Sequence, residues 1–303
     1  MPHRDGMNGD TETPPVQVGF IGLGDMGKPM AERLLAWPGG LVVCDLRPEV
    51  VEPFTAAGAK AAATAAEVAA QAEVISVVVV NDDQVRAVVT GPDGILSAAR
   101  PGTVIAVHST IADETAIELA AECARHGVDL VDAPISGGAG GAQQGRLAVM
   151  VGGSEAAYAR LREPFRCFAD LVVRAGEVGA GTRMKLARNL LHFVAFTAAG
   201  EAQRLAEAAG LDLRKLGRVV RHSDAVTGGA GSIILRDTTA PIPADDFWFP
   251  ILSHVRNLGE KDLSLALALA DRLHVELPLA QQAFTELGPG LGVGAGALAK
   301  ERP

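Results

Sequence analysis

Lys185, whose amine is suited to acid–base chemistry on an oxygen atom, lies four positions before Asn189 in a stretch with a helical pattern. Positions i and i+4 share one face of a helix. A lysine ammonium can donate a proton to a carbonyl oxygen during reduction, and the neutral amine can accept one from a hydroxyl during oxidation. Burial and the positive end of a helix both lower the pKa of a lysine toward the useful range. Asn189 can orient the hydroxyl or the lysine, although this pair alone is more typical of a solvated helix surface.

A second group of polar atoms follows the predicted strand 128–131, where Ser136 precedes the paired glycines Gly137 and Gly138. A serine and consecutive glycines at the end of a strand expose a hydroxyl and several backbone N–H groups, which form a concavity suited to a carboxylate. A flexible glycine loop explains the same residues equally well. This pattern alone therefore leaves both interpretations open.

Three glycines near the start of the chain, Gly22, Gly24 and Gly27, have the spacing G-x-G-x-x-G. An apolar strand is predicted before them and a helix after them, which is the order that a dinucleotide-binding loop requires. Gly22 permits the tight turn, Gly24 lets the backbone approach a pyrophosphate, and Gly27 lets the helix pack closely on the strand. The other loop residues are predicted to contact the cofactor at the start of the helix: Leu23, Asp25 and Met26.

The end of the next predicted strand carries an acid, Asp45, at 21 positions after Gly24. This separation is close to that expected for the carboxylate that bonds a ribose 2′-hydroxyl. A carboxylate repels a 2′-phosphate, so the sequence favours NAD. Arg47 could instead hold that phosphate and permit NADP. The alternative without a cofactor is that the glycines only make a turn and Asp45 caps a helix.

The elements that position these residues form two predicted domains. Apolar runs alternate with helical patterns over residues 16–178, which predicts an α/β Rossmann domain with a doubly wound parallel sheet. Residues 179–288 lack strand patterns and predict an all-helical second domain. Polar residues 1–15 predict a disordered tail and glycine-rich residues 289–303 a flexible one. A cleft at such a domain boundary is the default ligand site.

The composition narrows the possible partners. The chain has 303 residues and a formal net charge of -9, which argues against nucleic acid or an anionic membrane as a partner. No run is long and apolar enough to predict a membrane helix, and no signal peptide is evident. The three cysteines show neither metal-ligand nor disulfide spacing, so we expect no metal and a cytoplasmic location.

The motifs occur together and in order, and in this the sequence resembles the β-hydroxyacid dehydrogenase family, which includes 3-hydroxyisobutyrate dehydrogenase. The resemblance covers residues 16–288 and rests on four motifs: residues 19–31, 132–138, 179–189 and 261–267. It implies an NAD(P)-dependent dehydrogenase or reductase. The reaction would move hydride between the nicotinamide and the CH–OH carbon of a small 3-hydroxy acid or its semialdehyde or keto form.

The resemblance also implies roles for single residues. Lys185 would be the catalytic acid/base and Asn189 its substrate-orienting partner. The substrate carboxylate would be held by Ser136, Gly137 and Gly138. The cofactor would be bordered by four further residues: Val79, Val80, Thr110 and Lys261. The helical domain of the family implies assembly into a homodimer or homotetramer.

Several positions depart from the family pattern. Arg188 stands where an asparagine is usual, and it could supply a cation for a second anionic group of the substrate. His108 replaces a common aspartate. The aromatic residues 247–249 could line a pocket, but packing in the helical core is preferred. Imine reductases share the predicted architecture, although Lys185 argues against that activity. A non-catalytic cofactor-binding protein is the second alternative.

Overall fold

The computed structural model describes residues 15–296, so residues 1–14 and 297–303 of the two predicted tails lie outside the described range. Within that range the strands are β1 (Val18–Ile21), β2 (Leu41–Cys44), β3 (Lys60–Ala61), β4 (Val74–Val77), β5 (Val104–Val107), β6 (Asp129–Asp132), β7 (Ile135–Ser136), β8 (Leu147–Gly152) and β9 (Ala169–Gly176). The helices are α1 (Gly27–Leu34), α2 (Pro48–Ala56), α3 (Ala65–Gln71), α4 (Asp82–Thr90), α5 (Asp113–Arg125), α6 (Gly138–Gln144), α7 (Glu155–Phe165), α8 (Ala180–Ala208), α9 (Leu213–Thr227), α10 (Trp248–Leu273) and α11 (Pro278–Gly290).

One sheet organises the first part of the chain. Its strand order is β3-β2-β1-β4-β5-β6-β8-β7, and β9 pairs with β8. The strands from β1 to β6 are mutually parallel, while β6 and β7 run antiparallel to β8. The order reverses direction at β1, which places the carboxyl ends of β1, β2 and β4 beside one another at the switch point where such sheets bind ligands. The predicted doubly wound α/β architecture is confirmed.

Helices cover both faces of this sheet, which is why its strands are apolar on both sides. Side chains alternate between two cores: Phe20 packs in the one that contains Met30 of α1, whereas Ile75 packs in the other with Val68 of α3. Neighbouring strands are in register, with Val18 opposite both Leu41 and Val74. The sheet therefore holds the loops at its carboxyl edge on a rigid base.

The structure differs from the sequence prediction in some element boundaries. Residues 138–144 form the helix α6, with Ala142 buried in the core, so this stretch is not the flexible glycine loop that the sequence left open as one of two interpretations. The alanine- and leucine-rich run 184–209 predicts one long helix, and the observed helix α8 begins earlier, at Ala180. The apolar run 74–80 predicts a strand over its whole length, but β4 ends at Val77, since the backbone of Val79 bonds the Ser109 hydroxyl instead of a neighbouring strand.

The described residues divide into two compact units, one that ends at Arg188 and one that begins at Asn189, inside α8. In the second unit α10 and α11 pack on each other through apolar side chains that include Leu267 and Phe284. Glu201 of α8 is buried, and its two carboxylate oxygens accept the N–H groups of Leu279 and Ala280 at 2.8 and 2.9 Å. These bonds satisfy donors in the first turn of α11.

A second apolar cluster of this unit holds the end of the described chain. Leu291 and Val293 are buried beside Trp248 and Phe249. Phe247, in contrast, is 71% exposed. Two of the three aromatic residues at 247–249 therefore pack in the helical core. None of the helices between residues 15 and 296 is long and apolar enough to cross a membrane.

Candidate active site

The glycine loop after β1 has the shape that a dinucleotide requires. Gly22 has a φ of +95°, and a Cβ there would lie 2.0 Å from the Val78 carbonyl oxygen. A Cβ on Gly27 would lie 1.9 Å from the Gly22 carbonyl oxygen, so both positions exclude any larger residue. A Cβ on Gly24, however, would meet nothing within 4 Å. The loop thus leaves open space at the one glycine whose expected role is to let the pyrophosphate approach the backbone.

The first turn of α1 adds N–H donors to this loop. Met26 is the N-cap of the helix, and it makes no hydrogen bond through its side chain to the first turn. N–H groups at the start of a helix have no partner inside the helix and are suited to phosphate oxygens. The loop and the helix start therefore fit the pyrophosphate of a nicotinamide cofactor.

Asp45 ties the end of β2 to the glycine loop. Its Oδ2 accepts the Leu23 N–H at 2.7 Å, and its Oδ1 accepts the backbone N–H and the side-chain Nε of Arg47 at 3.0 and 3.1 Å. Burial raises the pKa of Asp45, but the hydrogen bonds from Arg47 and Leu23 outweigh that effect and lower it below its ordinary value. Asp45 is therefore ionised at neutral pH. It does not cap α2, whose N-cap is Arg47.

Two further strand ends carry the residues predicted to border the cofactor. The Ser109 hydroxyl accepts the Val79 N–H at 2.9 Å and donates to the Val79 carbonyl at 2.7 Å, which joins the ends of β4 and β5. Val80 is 81% exposed and Thr110 is exposed as well. Both residues follow the carboxyl ends of their strands, on the edge of the sheet that also carries the glycine loop and Asp45.

His108, at the end of β5, is fully buried and bridges three segments of the sheet. Its Nδ1 lies 2.8 Å from the Ala133 carbonyl oxygen, which can only accept, so Nδ1 carries the proton and Nε2 accepts from the Ser76 hydroxyl at 3.1 Å. Burial lowers the pKa of His108 to about 4, against the opposing effect of the Ala133 hydrogen bond. The imidazole is therefore neutral at neutral pH and serves as a structural bridge.

Lys185 lies in the second turn of α8, and its side chain reaches the segment that follows β6. Its Nζ donates to the Ile135 carbonyl oxygen at 2.5 Å. Burial lowers the pKa of Lys185, and the positive charge of Arg188 lowers it further. The ammonium is thus held at the residue directly before Ser136, and it releases its proton more readily than an exposed lysine does.

The segment next to Lys185 presents the residues predicted to hold a carboxylate. Ser136 is half-buried in β7, where it pairs with Ala148. Gly137 and Gly138 have φ angles of +132° and +66°, which only glycine adopts readily, and a Cβ on Gly138 would meet nothing within 4 Å. The structure therefore brings Lys185 and the strand end at Ser136 together within the first unit.

Two predicted residues belong to the second unit. Asn189 is the first residue of that unit and lies four positions after Lys185 in α8. Lys261 is exposed on α10 and forms an ion pair with Asp262 at 3.0 Å. Their predicted roles in the reaction stay predictions.

Sequence reasoning gave no role to Asp132, the last residue of β6. Its carboxylate is buried, and its two oxygens accept the backbone N–H groups of Gly179 and Thr182 at 2.7 and 2.6 Å. These donors lie at the start of α8, one turn before Lys185. The available signal was an acid at a strand end directly before the predicted carboxylate-binding segment.

Comparison with known proteins agrees with this geometry. Residues 17–176 match the model of the NAD-binding domain of 6-phosphogluconate dehydrogenase, and residues 179–288 match the model of the NAD-binding domain of NADP-dependent 3-hydroxyisobutyrate dehydrogenase. An oxidoreductase of Mycobacterium tuberculosis without an assigned substrate is 56% identical over 95% of this chain and 96% of its own length. Mouse mitochondrial 3-hydroxyisobutyrate dehydrogenase is 35% identical over 82% of this chain and 74% of its own.

A crystal structure of an oxidoreductase from Mycobacterium avium superposes with a TM-score of 0.88, at 52% identity over 92% of this chain and 99% of that one. The two domain models cover the glycine loop, the Ser136 segment and the lysine helix in a single chain. The chain therefore belongs to the β-hydroxyacid dehydrogenase family and is an NAD(P)-dependent oxidoreductase that acts on a CH–OH group.

Proposed function

We propose that this protein transfers hydride between the nicotinamide and the carbinol carbon of a small 3-hydroxy acid, with Lys185 as the acid/base. The observation that carries the proposal is the position of the Lys185 Nζ, 2.5 Å from the Ile135 carbonyl oxygen and next to Ser136. The nicotinamide, when bound, accepts or supplies the hydride. The residues of the chain would bind the substrate, orient it and move the proton.

Proton transfer follows from the hydrogen bond to Ile135. In the neutral amine, one N–H remains on the Ile135 carbonyl, and this bond directs the nitrogen lone pair to the substrate hydroxyl. In the reverse direction the ammonium would donate a proton to the carbonyl oxygen of the substrate. The pKa of Lys185 is lowered, first by burial and then by the charge of Arg188, so the neutral amine forms more readily than in an exposed lysine.

Substrate orientation would come from the neighbouring segment. The Ser136 hydroxyl and the N–H groups of Gly137 and Gly138 would bond the substrate carboxylate, and a Cβ on Gly138 would meet nothing within 4 Å. Asn189 would bond the substrate hydroxyl, and Lys261 would border the nicotinamide. A carboxylate fixed beside Ser136 would place a hydroxyl two carbons away within reach of Lys185.

The same reasoning favours NAD over NADP. Asp45 is ionised and repels a 2′-phosphate, whereas it can accept a ribose 2′-hydroxyl. The Arg47 guanidinium bonds both oxygens of Asp45, at 3.1 and 3.4 Å. To hold a 2′-phosphate, Arg47 would have to give up these bonds while Asp45 stays beside the phosphate.

A substrate screen tests the function. We expect the wild-type chain to reduce NAD with at least one 3-hydroxy acid from a panel, and to use NAD with a kcat/KM at least about tenfold above that with NADP. The panel should contain monocarboxylic and dicarboxylic 3-hydroxy acids, 2-hydroxy acids and, with reduced cofactor, cyclic imines. Faster reduction of imines than of semialdehydes would favour the imine reductase alternative. Tight NADH binding without turnover of any substrate would favour the non-catalytic one.

The second unit also supports a proposed homodimer. None of the residues of α9 is buried, although the helix carries Val219 and Val226, which are 62% and 74% exposed. Leu190 and Phe193 of α8 are exposed as well. A 15-residue amphipathic helix with an uncovered apolar face needs a partner surface, and a second copy of this unit offers one of the same character. Sedimentation equilibrium should give at least twice the chain mass, and a monomer at micromolar concentration would reject the proposal.

A further inference from the structure

The start of α8 is held by a buried acid. Asp132 is fully buried, and its carboxylate accepts one N–H from Gly179, just before the helix, and one from Thr182, inside its first turn. N–H groups at a helix start have no partner within the helix, so a side chain that accepts two of them fixes where the helix begins.

The residues that follow Asp132 contact the same helix one turn later. Ile135 lies three positions after Asp132 in the chain, and Lys185 lies three positions after Thr182 in α8. The Ile135 carbonyl accepts the Lys185 Nζ at 2.5 Å. The segment 132–135 therefore contacts two successive turns of α8, the first through the Asp132 carboxylate and the second through the Ile135 carbonyl oxygen.

Close backbone packing leaves the Asp132 carboxylate and the start of α8 little freedom to move. A Cβ on Gly152, which pairs with Asp132 in the sheet, would lie 2.2 Å from the Asp132 Oδ1. A Cβ on Gly181 would lie 2.3 Å from the Met150 carbonyl oxygen and 2.7 Å from that of Asp132. Because two glycines let the helix start lie directly on the strands, a shift of the Asp132 carboxylate would shift the helix.

We propose that Asp132 is a positioning residue for the reaction. It fixes the position of the start of α8 against the sheet, so that the Lys185 Nζ can donate to the Ile135 carbonyl beside Ser136. The proposal rests on the proposed function of Lys185. Asp132 itself would touch neither substrate nor cofactor. Its two hydrogen bonds would act on the lysine through the helix.

The chain offers a matched control for this proposal. Glu201 is also a buried acid whose two carboxylate oxygens accept two N–H groups at a helix start, those of Leu279 and Ala280 in α11. It lies in the second unit and contacts no proposed site residue through those bonds. Asp132→Asn and Glu201→Gln each replace a carboxylate by the isosteric amide, which keeps one acceptor oxygen and faces the other N–H with an NH₂ group.

The experiment measures the reactivity of Lys185 directly. Wild type, Asp132→Asn and Glu201→Gln are labelled with acetic anhydride over a range of pH, and the peptide that contains Lys185 is quantified by mass spectrometry against a lysine model peptide. We expect the labelling midpoint of Lys185 to lie below that of the model peptide in wild type and Glu201→Gln. In Asp132→Asn the labelling midpoint of Lys185 should rise toward that of the model peptide, because the lysine loses its buried position.

Turnover gives the second readout on the substrate found in the screen. For hydroxy-acid oxidation we expect kcat of Asp132→Asn to fall at least about tenfold, with the acidic limb of its pH profile shifted to higher pH. We expect kcat of Glu201→Gln to stay within about twofold of wild type. Equal losses of melting temperature in both variants, with the Lys185 midpoint and kcat of Asp132→Asn as in wild type, would show that Asp132 only stabilises the fold and would overturn the proposal.

If Asp132→Asn does not fold, Asp132→Ser carries the same test, because serine keeps one acceptor at a helix start without the charge. The labelling arm needs no substrate. An absence of turnover in wild type would therefore count against the proposed function, while the labelling midpoint of Lys185 would still decide the role of Asp132.

Discussion

Replacing Lys185 by alanine should lower the turnover number by at least about a hundredfold, the usual size of an acid/base contribution, while the affinity for NADH stays within about twofold. The reason is the position of the Nζ, which the Ile135 carbonyl holds at 2.5 Å beside the proposed carboxylate segment. Without the amine, no side chain that we place at this segment can exchange a proton with the substrate oxygen near neutral pH. Ser136 is a much weaker base, and the carboxylate of Asp132 is buried and already accepts two N–H groups.

The measurement is steady-state kinetics, read as nicotinamide absorbance, together with a fluorescence titration of NADH. Lys185→Met keeps the apolar stem of the side chain and should lose activity to the same extent, which separates the amine from its packing. Lys60→Ala removes an exposed lysine of β3 and serves as the matched control with unchanged kinetics. Turnover in Lys185→Ala within about threefold of wild type would reject the proposed acid/base.

The second large effect concerns Gly24. Gly24→Ala should raise the dissociation constant for NADH by at least about tenfold, because the added methyl group enters the open space into which the pyrophosphate must pass. A Cβ at this position meets nothing within 4 Å, and its φ is not in the left-handed region. The fold should therefore accept the substitution, with a melting temperature within about 2 °C of wild type.

This separation of binding from folding is specific to Gly24. Alanine at Gly22 or Gly27 would place a methyl group about 2 Å from a backbone oxygen, so a loss of binding there would also report damage to the fold. Gly290→Ala is the control, since Gly290 has equally open surroundings and lies at the end of α11. Isothermal titration calorimetry measures the affinity. Tight NADH binding by a folded Gly24→Ala would show that the pyrophosphate does not pass over this residue.

The sequence predicts the fold and the cofactor loop well because both depend on local patterns. Strands that are apolar on both faces predict a parallel sheet covered by helices. The spacing of Gly22, Gly24 and Gly27 follows from steric requirements within a loop of six residues. The antiparallel pairing of β8 with β6 and β7 is not visible in this way, since it joins strands whose lengths and spacing suit a parallel crossover equally well. The helix α6 is not predicted either, because its sequence is rich in glycine, which is unfavourable inside helices.

Lys185 and Ser136 can be proposed as site residues from their types, but the contact that brings them together cannot be predicted in this way. That contact is a hydrogen bond to the backbone carbonyl of Ile135, and because every residue has a backbone carbonyl, no side-chain pattern identifies it. Asp132 contacts Gly179 and Thr182 across 47 and 50 positions, so no local periodicity relates them. Only the register of β6 beside the start of α8 places these groups together.

The most direct test of the proposed reaction follows the hydride itself. Wild-type protein is incubated with NAD and 3-hydroxy acids that carry deuterium on the carbinol carbon, and the mass of the reduced cofactor is measured. We predict that NADH gains one deuterium for each carbonyl product formed, at a rate that Lys185→Ala lowers by at least about a hundredfold. NADH formed without deuterium, or no transfer from any 3-hydroxy acid, would contradict it.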